Sequence, residues 1–144
     1  VRRARRTTIL ARTRSDLPQR LAESIEERYA VEEISAPEAA LVMIKKREGA
    51  RGSLFYLGEM LVTETRVRVG GTIGVGIAAG YAHEAARRMA VIDAAFNAAL
   101  PETEGWDELL VREEEAIAAN DEAESRRIAR SRVAFESMDR EAPR

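Results

Sequence analysis

Thr63-Glu64-Thr65-Arg66-Val67-Arg68-Val69-Gly70-Gly71-Thr72-Ile73-Gly74-Val75-Gly76-Ile77-Ala78 decides the fold. Thr63, Thr65, Val67 and Val69 alternate with Glu64, Arg66 and Arg68 until they meet Gly70-Gly71. Two residues that take positive φ without steric cost, set between two alternating runs, specify a tight antiparallel hairpin. Beyond the turn, Ile73, Val75 and Ile77 point one way while Gly74, Gly76 and Ala78 point the other. One face of that strand is therefore nearly bare, and something must pack very close to it, either a helix of this chain or a partner.

Upstream of the hairpin, the strand is read back to about Ser53, with Gly58 as a bulge or break. Arg47-Glu48-Gly49-Ala50-Arg51-Gly52 reads as a turn through its two glycines. The apolar run Leu41-Val42-Met43-Ile44 before it suits a central strand that emerges into solvent at Lys45-Lys46-Arg47. Tyr29, Val31 and Ile34 fit a short strand ending before Pro37. Earlier still, Ile9 and Leu10 belong to a short helix, and Ser15 or Asp16 caps a second one with Pro18 in its first turn, running to about Arg28. Leu17, Leu21 and Ile25, spaced by four, give that helix its buried face.

Downstream, Ala82 to about Ala99 is the strongest helix, with Ala85, Met89, Ile92 and Phe96 on one stripe and Ala86 and Ala90 beside it. Pro101 stops it. Trp106, Leu109, Leu110 and Ile117 mark a third amphipathic helix, and Asn120 or Asp121 can cap a fourth that carries Ile128, Phe135 and Met138. These last helices have thin apolar stripes and are expected to embrace something else. The fold class is thus α+β: a mainly antiparallel sheet of about four strands packed with helices, with helical arms at both ends. One domain is expected over 1–144, comprising N-terminal helices (1–28), sheet and main helix (29–100) and a C-terminal helical arm (101–144).

With 144 residues, 45% hydrophobic and only 5% aromatic, the core is aliphatic and rich in Ala. Such a core gains less by burial than a Leu-rich one, which points to a partner that adds surface. The absence of Cys excludes disulfides, thiolate metal sites and a Cys nucleophile. No apolar run approaches the roughly 20 residues of a membrane span, and no secretory leader is visible, so a cytoplasmic protein without membrane contact is expected. The sequence begins at Val1 rather than Met, so its natural start is expected upstream. The net charge of −2 hides an asymmetry, with Arg2, Arg3, Arg5, Arg6, Arg12 and Arg14 crowding the start and Glu113, Glu114 and Glu115 in a later run.

A nucleophilic triad or zinc site needs imidazole or thiolate, and His83 is the single His. At the start of a helix its cationic form is disfavoured by the dipole, so surface or cap duty is expected. Glu59 and Asp93 fall among apolar neighbours and are the candidates for acid-base work. The simpler reading is a structural ion pair or subunit contact, in which Asp93 needs a partner such as Arg66 or a backbone donor. Gly74-Val75-Gly76-Ile77-Ala78-Ala79-Gly80 has a spacing one residue off a dinucleotide loop and lies within a strand, so no phosphate cradle is expected. The N-terminal arginines lack interleaved aromatics, and a pI of about 5.6 argues against a nucleic-acid module; a solvated helix face or an acidic patch on a partner subunit explains them better. An assembly subunit, a free-standing small-ligand or nucleic-acid binder and a small acid-base enzyme all stay open on these residues alone.

Phe55-Tyr56-Leu57-Gly58-Glu59-Met60-Leu61-Val62-Thr63, then Val67-Arg68, Gly74, Gly80 and Ala90-Val91-Ile92-Asp93-Ala94, in that order and spacing, resemble the middle region of the G subunit (PhnG) family of the bacterial carbon–phosphorus lyase system. Ile9-Leu10-Ala11 is similar to that family's N-terminal helix, and Ser131-Arg132-Val133-Ala134-Phe135 with Met138 to its C-terminal signature. The resemblance covers nearly the whole chain. It departs from the family between Gly80 and Asp93: where an Arg-Asp pair and a histidine are common, this chain has Tyr81, Ala82 and Ala85, with His83 two positions earlier.

The resemblance implies a non-catalytic subunit that supports synthesis of α-D-ribose 1-methylphosphonate 5-triphosphate from ATP and methylphosphonate. Its implied partners are the H, I and L subunits, with the I subunit carrying the nucleosidase chemistry, and a core shared with H, I and J in which two copies are expected. The complex uses ATP; no cofactor or metal is expected on this chain. Interface or scaffold roles are expected for Gly58, Glu59, Thr63 and Arg66 on the strands, Gly74, Gly76 and Gly80 at close packing, Asp93 on the helix, and Arg132 and Phe135 in the C-terminal arm.

Overall fold

The computed structural model of the chain describes residues 1–130. The Gly70-Gly71 pair turns as its chemistry demands: φ is 56° at Gly70 and 79° at Gly71, and Val69 pairs with Thr72 across the turn. It joins β2 (Leu54–Val69) to β3 (Thr72–Ala79), and β2 also pairs antiparallel with β1 (Glu32–Arg47), giving a sheet of order β1-β2-β3. Two helices precede the sheet, α1 (Arg3–Arg12) and α2 (Leu17–Glu26). Two follow it, α3 (His83–Asn97) and α4 (Trp106–Arg130), separated by a single 3-10 turn at Pro101–Thr103. The class is α+β.

Three strands replace the expected four, because the two segments flanking Pro37 form one continuous strand, β1. Nor is Leu41-Ile44 central. β1 is an edge strand paired only with β2, so a residue without N–H can sit in it without removing a ladder bond. The chain slips register between Ser35 and Glu38, and Thr65 Oγ1 donates to the Ser35 carbonyl at 2.8 Å beside this irregularity. It also slips between Glu33 and Ser35, and again between Ile44 and Lys45, where Ile44 faces Gly58 but Lys45 faces Tyr56. Leu57 is thus the extra residue of a bulge adjoining Gly58.

The bare strand face is filled from within. A Cβ at Gly74 would lie 2.1 Å from the Ala90 carbonyl oxygen, and one at Gly76 only 1.8 Å from that of Ala86. α3 therefore rides directly on the β3 backbone through Ala86, Ala90 and Ala94, one per turn and all buried. Ala85, expected on the buried stripe, is exposed. From Met89 to Ala95 the helix is buried on all sides, because α1 and α2 pack on the flank away from the sheet. The core joins Ile9 and Leu10 of α1, Leu17, Leu21 and Ile25 of α2, Val67 and Val69 of β2 and the middle of α3 to Trp106 and Leu110. Phe96 and Trp106 meet edge to face, 5.5 Å between ring centroids.

α4 is one helix rather than two. Asn120 and Asp121 favour caps but do not break a helix, and no Gly or Pro interrupts Trp106 to Arg130. At about 1.5 Å rise per residue it spans roughly 37 Å, and from Ala118 onward every described residue is exposed.

α3 ends in a Schellman arrangement in which Leu100 N–H donates to the Ala95 carbonyl and Ala99 N–H to that of Phe96, both at 3.1 Å. This places Ala99 at φ 50°, the left-handed region that costs a residue with a Cβ about 1–2 kcal/mol. Ala99→Gly is expected to raise stability by about 1 kcal/mol, read as a higher urea midpoint at unchanged slope.

Candidate functional site

Asp93 occupies the middle of α3 and is 6% exposed. A carboxylate in that position remains charged only if donors surround it. Arg3 supplies two, Nε to Oδ1 at 2.9 Å and Nη2 to Oδ2 at 2.6 Å. Arg6 Nη2 reaches Oδ1 at 2.7 Å, and the Val75 backbone N–H donates to Oδ2 at 3.1 Å. Asn97 Nδ2 stands 3.4 Å from Oδ2 and 3.0 Å from the Ile73 carbonyl. One carboxylate thereby ties α1, α3 and β3 together. The Arg6 guanidinium also lies 4.0 Å from the Phe96 ring centroid, so its second face is covered by an aromatic.

Arg66 is not the partner. The β2 register turns Thr65 and Val67 towards α3 and Arg66 to the opposite face, where it pairs with Glu64. The expected backbone donor is present, at Val75. Sequence reasoning misses Arg3 and Arg6 as partners because they lie 90 and 87 residues away. Their spacing with Leu10, on one helix face, is the signal that could have found them.

Burial pushes the Asp93 carboxyl up, but the hydrogen bonds from Arg3, Val75 and Arg6 together outweigh it and hold the group below its ordinary range. A carboxyl with a lowered folded pKa stabilises the fold above its unfolded value, roughly 3.9, and loses that contribution as pH falls through the folded value. The unfolding free energy is therefore expected to drop below about pH 4, more steeply in the wild type than in Asp93→Asn, as measured by urea titrations from pH 3 to 7. Chemically, a carboxylate enclosed by donors has no lone pair left to take a proton from a substrate. This site is a clasp.

The second member of the acid-base pair lies elsewhere. Glu59 is exposed in the outer half of β2, opposite Met43, and Asp93 is under β3, so the two carboxylates form no pair. Thr63 is buried; its hydroxyl donates to the Gly80 carbonyl at 2.7 Å and accepts from Ala82 N–H at 3.0 Å. Gly80, with φ 72°, makes the turn from β3 into α3. His83 is exposed in the first turn of α3. Tyr81, Ala82 and Ala85, where the sequence departs from the family it resembles, cluster at that same helix start, with Tyr81 and Ala85 exposed. Arg132 and Phe135, with the remainder of the C-terminal signature, lie outside the described residues.

Four of the six N-terminal arginines, Arg3, Arg5, Arg6 and Arg12, find acids within the chain. Besides the Asp93 clasp, Arg5 pairs with Glu114 and Arg12 with Asp121, so opposite charges link α1 to α4. Among the described residues no group of three or more His, Asp or Glu side chains is placed to hold a metal ion, and no helix is long and apolar enough to cross a membrane.

Residues 1–141 match the family described as phosphonate metabolism protein PhnG. A relative from Rhizobium meliloti (strain 1021), the alpha-D-ribose 1-methylphosphonate 5-triphosphate synthase subunit PhnG, is 32% identical over 123 residues, covering 82% of this chain and 76% of the relative.

Proposed function

The chain belongs to the PhnG family of phosphonate metabolism proteins, and from that premise we propose that it is a non-catalytic subunit of the synthase that makes α-D-ribose 1-methylphosphonate 5-triphosphate from ATP and methylphosphonate. The observation that carries this is the family match over residues 1–141, supported by a relative whose name is that synthase subunit. The geometry favours a supporting role. Asp93 is enclosed by donors from three elements, and Glu59 stands apart from it, which disfavours the acid-base reading. A free-standing nucleic-acid binder is disfavoured too, since Arg3, Arg5, Arg6 and Arg12 are engaged by the chain's own carboxylates.

On this reading the chain works in the cytoplasm with the H, I and L subunits and shares a core with H, I and J, in two copies. ATP and phosphonate are handled by the complex, and this chain carries no cofactor of its own. Deleting its gene is expected to abolish growth on methylphosphonate as sole phosphorus source while leaving growth on phosphate unchanged, with recovery on re-expression. Undiminished growth on methylphosphonate would sink the proposal.

A further inference from the structure

β1 and β2 are each 16 residues long, whereas β3 has 8 and pairs only with Val62–Val69 of β2. The outer half of the β1-β2 pair, from about Leu41 to Leu61, therefore projects as a two-stranded ribbon without a third strand. An isolated ribbon of this kind is marginal in water, and this one is apolar on both faces. Residues opposite each other in the register share a face, which puts Leu41, Met43, Tyr56 and Leu54 on one side, with the exposed Glu59 among them opposite Met43, and Val42, Ile44, Met60 and Phe55 on the other. Leu41, Met43, Leu54 and Tyr56 each keep more than half of their surface exposed, as does Leu57 in the bulge, and Phe55 and Met60 about two fifths. A contiguous apolar surface of this size marks an interaction site.

The tip differs from the shaft. Residues 45–51 contain Lys45, Lys46, Arg47 and Arg51 against the single carboxylate of Glu48. Glu48 is bonded to the Ser53 hydroxyl, Arg47 to the Gly52 carbonyl, and Lys45 lies over the Tyr56 ring. None of these four cations forms an ion pair among the described residues, in contrast to Arg3, Arg5, Arg6 and Arg12 at the N-terminus.

We propose that the Leu41–Leu61 ribbon inserts into an apolar groove rimmed by carboxylates on another subunit of the synthase, which covers both of its faces and neutralises its basic tip. Apolar side chains on both faces favour insertion over flat contact, which would leave one face wet. Charge favours another subunit over a second copy: on α4, the acidic helix of this chain, Glu114, Asp121, Glu122 and Glu124 are already held by arginines of the same chain, which leaves Glu108, Glu113 and Glu115 outside ion pairs among the described residues. The inference rests on the synthase-subunit reading and adds where the contact is made.

The test uses the full chain co-expressed with the other synthase subunits. Met43→Glu with Phe55→Glu places one charge on each face. These side chains are exposed, so the variant is expected to keep the wild-type circular dichroism and thermal midpoint while binding the assembly roughly 100-fold more weakly. Lys46→Glu with Arg51→Glu leaves the shaft intact and is expected to weaken binding about 10-fold at low salt, with a smaller difference at high salt. A photo-crosslinker at position 43 and another at position 55 are each expected to label the same partner subunit. Wild-type assembly with both variants binding equally well overturns the ribbon proposal and leaves the functional reading standing. Labelling from one face only, or between two copies of this chain, overturns insertion into another subunit. Failure of the wild-type chain to join the assembly overturns both.

Discussion

Asp93→Ala is expected to destabilise the chain by roughly 3–5 kcal/mol, the scale observed when one partner of a buried ion pair is removed. The reason lies in what is left behind. Arg3 is largely exposed and can return to water, but the Arg6 side chain is 7% exposed and its charge would remain under α3 with only the Phe96 ring for company. The Val75 N–H loses its acceptor as well. Against a typical total of roughly 5–15 kcal/mol, and in a core built on Ala, that loss removes a large part of the margin. The cost is in the orphaned charge, so Asp93→Leu combined with Arg6→Met is expected to recover most of it. Urea midpoints of Asp93→Leu, Arg6→Met and the double variant give the coupling directly. A loss below about 1 kcal/mol in Asp93→Ala would show that the clasp is dispensable.

Gly76→Val is expected to cost about 3 kcal/mol or more, at the upper end of the overpacking range. Its Cβ would stand 1.8 Å from the Ala86 oxygen and 2.6 Å from the Ala90 nitrogen. Both are backbone atoms of a helix, so no rotamer change relieves the contact and α3 must lift from the sheet as a unit. Lifting it would also strain the Val75–Asp93 hydrogen bond one residue away. Gly49→Ala is the control, because nothing lies within 4 Å of a Cβ there; its effect is expected to stay within about 0.5 kcal/mol. Equal thermal midpoints for the two variants would contradict the close approach of α3.

Features written in adjacent residues are legible in the amino-acid order alone. Gly70-Gly71 between alternating runs specifies the hairpin, and Leu17, Leu21 and Ile25 mark the buried face of α2. Gly74 and Gly76 announce a close approach, but only the packing of α3 against them shows that a helix of this chain makes it. The features that sequence misreads depend on distant neighbours. Pro37 ends a strand only if both edges are paired, and the edge position of β1 is a property of the whole sheet. Asn120 and Asp121 resemble a cap, yet Asp121 is engaged by Arg12 from 109 residues away. Asp93 is recognisable as a buried carboxylate needing a donor, but Arg66 lies nearer in sequence than Arg3 or Arg6, and only tertiary packing can rank them. The family is legible from motif order and spacing because its departures, Tyr81, Ala82 and Ala85, fall at the start of α3 rather than in its buried middle.

The most direct measurement is adenine release from ATP and methylphosphonate by the H, I and L subunits with and without this chain, paired with size-exclusion chromatography of the chain co-expressed with the I subunit. Co-elution with I, and adenine release that appears only when the chain is present, is the predicted result. A chain that elutes alone as a stable monomer, with product formed equally well in its absence, would contradict the assignment of this protein as a working subunit of the synthase.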